Sequence, residues 1–128
     1  MLKQWIIMRK DLSMSKGKMV AQGSHGSLGI FFNRITEIDK EEGIMKIKFD
    51  PSEYEWITGP FTKICLGVKT EEELLDIYKK AECLKIPVVM ITDKKLSERD
   101  EKPVHTCIAI GPCEENRVAL ILGHLKPM

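Results

Sequence analysis

Four short runs of unbroken apolar character constrain this chain more than any other feature: residues 5–8, 64–68, 88–91 and 107–110. A strand with one wet face alternates apolar and polar residues, whereas a continuous run of four or five apolar positions belongs to a strand covered on both faces. The chain must therefore supply layers above and below a sheet. After the run at 64–68, Thr70 is followed three residues later by Glu73, a helix-capping pattern, and Glu71 and Glu72 suit the positive end of a helix. Leu74, Leu75, Ile77, Tyr78, Ala81 and Leu84 then recur at helical spacing, and Pro87 precedes the third run. Strand, helix and strand in about thirty residues predict a βαβ unit with parallel strands. The fold class is α/β, a single domain of three layers.

Between the first two runs, residues 15–34 are rich in small side chains and are expected to form a helix despite their glycines. Each glycine costs about 1 kcal/mol in a helix interior, so close approach to the sheet or to a ligand must offset it. Pro112 and Glu114 are expected to open a short helix that runs to about Leu122 and ends at Gly123. The acidic stretch at about 37–56 is expected to be an inserted loop, with at most a small strand at 45–49.

Charge and cysteine content remove several function classes. Twenty basic and nineteen acidic side chains leave the 128 residues at +1, although residues 1–34 carry six basic groups against one acidic. A nucleic-acid binder relying on bulk electrostatics would show a larger excess, so any such contact is local and involves few phosphates. The apolar run near the amino terminus is too short for a signal-peptide core, which points to the cytoplasm. Cys65, Cys83, Cys107 and Cys113 lack the two-residue spacing of a zinc or dithiol centre, and we expect them to be small buried hydrophobes in a reducing compartment, with no metal site.

Chemistry concentrates in residues 11–25. Lys16 and Lys18 flank Gly17 at an expected helix start, where cations oppose the macrodipole by a few tenths to about 1 kcal/mol. Placed beside free helix amides, they would suit a phosphate or an oxyanion; alternatively they form a solvated basic turn. Lys18, Gln22 and His25 stand at i, i+4 and i+7, an ammonium, an amide and an imidazole along one stripe. Asp93 follows the run at 88–91 and so lies at the carboxyl end of a strand, where open α/β sheets bind ligands. It could equally be a turn-forming aspartate. Neither a nucleotide-binding glycine loop nor a serine elbow is present.

These residues resemble the type II peptidyl-tRNA hydrolases. The likeness runs through Arg9, Asp11-Leu12, Met14-Ser15-Lys16-Gly17-Lys18, Ala21-Gln22 and Ser24-His25, resumes at residues 63–68 and Glu71-Glu72-Glu73-Leu74, and continues through Ile91, Asp93, Thr106, Ile110-Gly111-Pro112 and Gly123-His124-Leu125-Lys126. It implies a mixed four-stranded sheet with helices on both faces and hydrolysis of the ester joining a peptide to the 3′ end of tRNA. It also implies site residues: Lys18 for phosphate or oxyanion stabilisation, Asp93 for water, and Gln22 and His25 for orienting the tRNA terminus, with Lys16 and Thr106 in support. Where the family usually has alanine, glycine, leucine and threonine after its aspartate, this chain has Lys94-Lys95-Leu96-Ser97, which keeps a hydroxyl at Ser97. The expected partner is the acceptor end of peptidyl-tRNA, with no cofactor, no membrane and no DNA; a homodimer would suit the family. The departures after Asp93 permit one alternative, a catalytically weak relative that binds tRNA or acts as a protein adaptor.

Overall fold

In the computed structural model, which describes residues 1–94 and 101–128, the elements follow in the order β1 (Leu2–Arg9), α1 (Lys16–Gly29), a 3-10 turn (Phe32–Arg34), β2 (Ile35–Asp39), β3 (Ile44–Ile47), α2 (Pro51–Thr58), β4 (Lys63–Val68), α3 (Glu71–Cys83), β5 (Val88–Asp93), β6 (Val104–Glu114), a second 3-10 turn (Glu115–Arg117), α4 (Ala119–Leu122) and β7 (Lys126–Pro127). All four apolar runs are strands of one mixed sheet. Its order is β5-β6-β1-β4-β7. β1 and β4 are parallel, while β6 runs antiparallel to both β1 and β5.

Side-chain alternation on this sheet divides the core into layers. Trp5 and Ile7 of β1, with Ile108 and Ile110 of β6, pack beneath Leu74, Ile77 and Ala81 of α3. Ile6, Met8 and Cys107 face the other way and meet Met19 of α1. The three-layer expectation therefore holds, with five strands in the main sheet where four were expected. The fifth is β7, two residues pairing with Leu66 and Gly67 through their backbone. So short a strand has no apolar period to betray it.

Three further expectations need correction. β4, α3 and β5 do form a strand-helix-strand unit, and β5 points the same way as β4, but β1 and β6 lie between them. Asp93 thus ends a strand that, among the described residues, lies at the sheet edge and pairs only with antiparallel β6. Pro112 does not open a helix; it lies in β6, where the pairing with β1 shifts register between Lys3 and Trp5. Gly111 sits at that shift with φ +89°, and a Cβ there would stand 2.8 Å from the Lys3 carbonyl oxygen, so an L side chain is doubly excluded. The stretch expected as an acidic loop is largely regular. β2 and β3 form a hairpin, and Asp50 caps α2 reciprocally with Glu53 while Pro51 occupies its first turn.

The cysteines divide evenly. Cys107 and Cys113 are buried and their thiols are pushed up to about 11 by that burial, whereas Cys65 and Cys83 are exposed, contrary to expectation. The Cys65 carbonyl accepts from the Met128 backbone N–H at 3.0 Å, but its side chain faces an open groove beside α1 and so stays exposed. No helix among the described residues is long and apolar enough to cross a membrane.

Candidate active site

α1 crosses the sheet over β1, β6 and β5, and it does so closely because its inner face is glycine. A Cβ at Gly26 would come within 3.3 Å of the Ala109 side chain and 3.5 Å of Ile91. That proximity answers the cost of glycine in a helix. It also lowers Gln22, one turn earlier, onto the ends of β5 and β6.

Gln22 is 7% exposed and is held at both ends of its amide. Its Nε2 donates to Asp93 Oδ2 at 3.2 Å, and its Oε1 accepts from the Thr106 hydroxyl at 2.7 Å. Thr106 would not face α1 in a regular strand, since its neighbour Cys107 already does. The pairing of β5 with β6 slips by one residue here: Ile91 opposes Cys107, but Thr92 opposes His105. The extra residue is Thr106, and the irregularity lets two consecutive side chains approach Gln22. The Cys107 thiol donates to the Gln22 carbonyl at 3.4 Å. The result is a polar relay from buried Thr106 through Gln22 to half-buried Asp93.

The amino terminus of α1 supplies positive charge beside this relay. The Ser15 hydroxyl accepts from the Lys18 backbone N–H at 3.2 Å, and no acidic residue occupies the first turn. Lys16 and Lys18 are both exposed. Lys18 precedes Gln22 by four residues, which sets their Cβ atoms about 5–6 Å apart. His25, three residues beyond Gln22, is exposed as well. The expected stripe therefore separates by depth, with the amide beneath the helix and the ammonium and imidazole outside. Ser97, also expected at the site, lies outside the described residues.

A second cluster backs the relay from the opposite face and was not singled out as functional from the sequence. The Arg9 guanidinium, 8% exposed, donates twice to the Asp11 carboxylate, at 3.1 and 2.7 Å. It also reaches Glu71 Oε2 at 3.4 Å and the His105 carbonyl at 3.0 Å. His105 precedes Thr106, so Arg9 ties the irregular point of β6 to β1 and to the start of α3. The hydrogen bonds from Arg9 hold the Asp11 carboxyl below its ordinary range, and the same contact raises the guanidinium. The sequence signal was an arginine closing an apolar run with an aspartate two residues on; only the fold reveals what the arginine grips.

The family model described as Peptidyl-tRNA hydrolase PTH2 matches residues 2–128. The chain is 34% identical over 125 residues to a peptidyl-tRNA hydrolase of Methanocaldococcus jannaschii, covering 98% of each protein. It is 36% identical over 125 residues to that of Methanopyrus kandleri, covering 98% of this chain and 97% of the relative. Its backbone is similar to a protein of unknown function from Agrobacterium tumefaciens, with a TM-score of 0.58 at 12% identity, covering 98% of this chain and 96% of the other, a likeness of fold alone.

Proposed function

The chain belongs to the peptidyl-tRNA hydrolase PTH2 family, and from that membership we propose how its own side chains carry the reaction. The enzyme cleaves the ester between a peptide and the 3′ end of tRNA, releasing free tRNA. Water adds to the ester carbonyl, the bond to the terminal ribose oxygen breaks, and that oxygen leaves with a proton. Asp93 accepts the proton from the attacking water and returns it to the ribose oxygen. Lys18 stands beside the carbonyl oxygen as it gains negative charge, a task for a fixed cation in a partly dry site.

The observation that carries this reading is the relay from Thr106 through Gln22 to Asp93 beneath a helix start bearing two lysines. Gln22 gives one donor to Asp93 Oδ2 and so fixes the orientation of the carboxylate that meets the water. Thr106 fixes the amide so that its NH2 side, not its oxygen, meets the carboxylate. Lys16 and His25 contact the phosphate and ribose of the tRNA terminus. Acting on a product of translation, the enzyme works in the cytoplasm.

Hydrolysis of a labelled peptidyl-tRNA tests the assignment. Lys18→Ala and Asp93→Ala are each expected to lower kcat/KM by about a hundredfold or more, the scale of preorganised charge and acid-base groups. Rates within threefold of wild type for either variant, with folding verified, would remove that residue from the mechanism.

A further inference from the structure

The sheet order sets β5 and β4 on opposite flanks of α1, and the β4 flank is not filled. There α1, α2 and the first half of β4 border an open groove of about 790 Å³, floored by Ile6 and Met8. Val20, Leu28 and Phe61 on its walls are 69%, 59% and 50% exposed, a concentration of apolar side chains in water that marks a binding surface. Its volume falls within the range of ligand pockets, roughly 300–1,000 Å³.

Two features join this groove to Asp93. Lys16 lines it, two residues before Lys18, so the groove and the relay share the first turn of α1. Between the two lysines is Gly17, where an added Cβ would meet nothing within 4 Å among the described residues. None of these requires a glycine there, although it weakens the helix start. Its bare backbone leaves a crossing point from one flank to the other.

We propose that the groove receives the peptidyl chain of the substrate, which passes over Gly17 from the ester at Asp93. This rests on the hydrolase reading above. The groove follows α1 from Lys16 and runs two residues past its end to Phe31, where the backbone keeps helical angles, a length of about 22 Å at about 1.5 Å per residue. An extended peptide rising about 3.3 Å per residue spans it with six or seven residues. Apolar walls without a regular set of polar partners suit a substrate whose peptide varies in sequence.

The test compares tRNA bearing one N-acetylated residue with tRNA bearing an N-acetylated apolar hexapeptide, using wild type, Val20→Gln and Leu28→Gln. Wild type is expected to favour the hexapeptide by about tenfold in kcat/KM, the scale at which remote substrate contacts act. Each variant should reduce that preference to below about threefold and leave the single-residue substrate unchanged. Equal wild-type rates on both substrates, or variants that slow both alike, would overturn the proposal. Variants that abolish a dimer in sedimentation yet keep the length preference would assign the groove to a second copy and overturn it too. Absence of turnover on both substrates by wild type would defeat the hydrolase reading instead. The groove would then be decided by NMR titration with the free N-acetyl hexapeptide amide: shifts of the Val20 and Leu28 methyls support it, and unmoved methyls overturn it.

Discussion

Thr106 shows what a single hydroxyl does in this protein. It is fully buried, and its donation to Gln22 leaves the amide one orientation in which both ends are satisfied. Thr106→Val keeps the shape and strands the Gln22 oxygen, a loss of about 1–3 kcal/mol for a buried acceptor. Denaturant melts should show that loss, and kcat should fall by about tenfold with KM little changed; Thr106→Ser should recover most of both. A kcat that follows stability alone would make the threonine structural. Glu53 carries a different lesson. It is 0% exposed, its Oε1 accepts from the Asp50 N–H at 3.0 Å, and its Oε2 stands 3.3 Å from the Arg34 guanidinium. Burial outweighs these partners and raises its pKa. A raised folded pKa means that the stability contributed by the protonated form is complete below the unfolded value, about 4.3, and is lost as pH climbs through the folded value. Glu53→Gln should therefore be at least as stable as wild type at pH 7, and the difference should shift in favour of wild type as pH falls towards 4 in paired thermal melts. Asp11 has the opposite sign: its depressed pKa stabilises above about 4 and ceases to do so as acid protonates it.

At the scale of elements, the packing of α1 decides whether a site exists. Its helical sequence is poor by propensity, with glycines at 17, 23, 26 and 29, and two of those let it approach the sheet. A Cβ at Gly23 would sit 3.6 Å from Ile6, an ordinary contact, while one at Gly26 would press on Ala109. Gly26→Leu cannot fit without lifting the helix. We expect a cost of about 1–3 kcal/mol from overpacking, seen as a lower denaturation midpoint. Lifting α1 draws Gln22 away from Asp93, so kcat should drop further than the lost stability explains, measured where the variant is still folded. Retained kcat would show that the relay tolerates a looser helix. The β6 irregularity is the other decisive element, because it sets Thr106 on the same face as Cys107. Arg9 anchors it from behind through the His105 carbonyl.

For the molecule as a whole, charge is nearly balanced, and the basic excess of residues 1–34 includes Lys16 and Lys18 at the start of α1. Binding that relies on Lys16 and one or two further contacts beside it, with Lys18 serving the ester, neutralises two or three phosphates. The slope of log kcat/KM against log salt is then expected to be about −1.5 to −2, using about −0.7 per phosphate on a single strand. A slope steeper than about −4 would require a broad basic surface in place of this local one. The same molecule-wide view explains what was legible beforehand. All four apolar strands were readable from their runs, although β5 is only half-buried and the first half of β4 lines the open groove. α3 was readable from its capping Thr70 and its apolar period. Gln22 and Asp93 were nameable by spacing and by strand end, but their contact, formed across 71 residues of chain, was not.

The chain by itself determined its layers, because continuous apolar runs and one amphipathic helix admit few other arrangements, and it singled out candidate site residues, because lysines at a helix start oppose the helix dipole. Only tertiary structure decided which strands are neighbours. β1 and β6 intervene between β4 and β5, β7 joins through two backbone pairs, and Cys65 reaches the surface where an apolar run suggested burial. Apolar burial is non-directional and is written residue by residue. Strand order, register slips and the reach of one side chain to another depend on hydrogen bonds between segments far apart in sequence, and no local pattern records them.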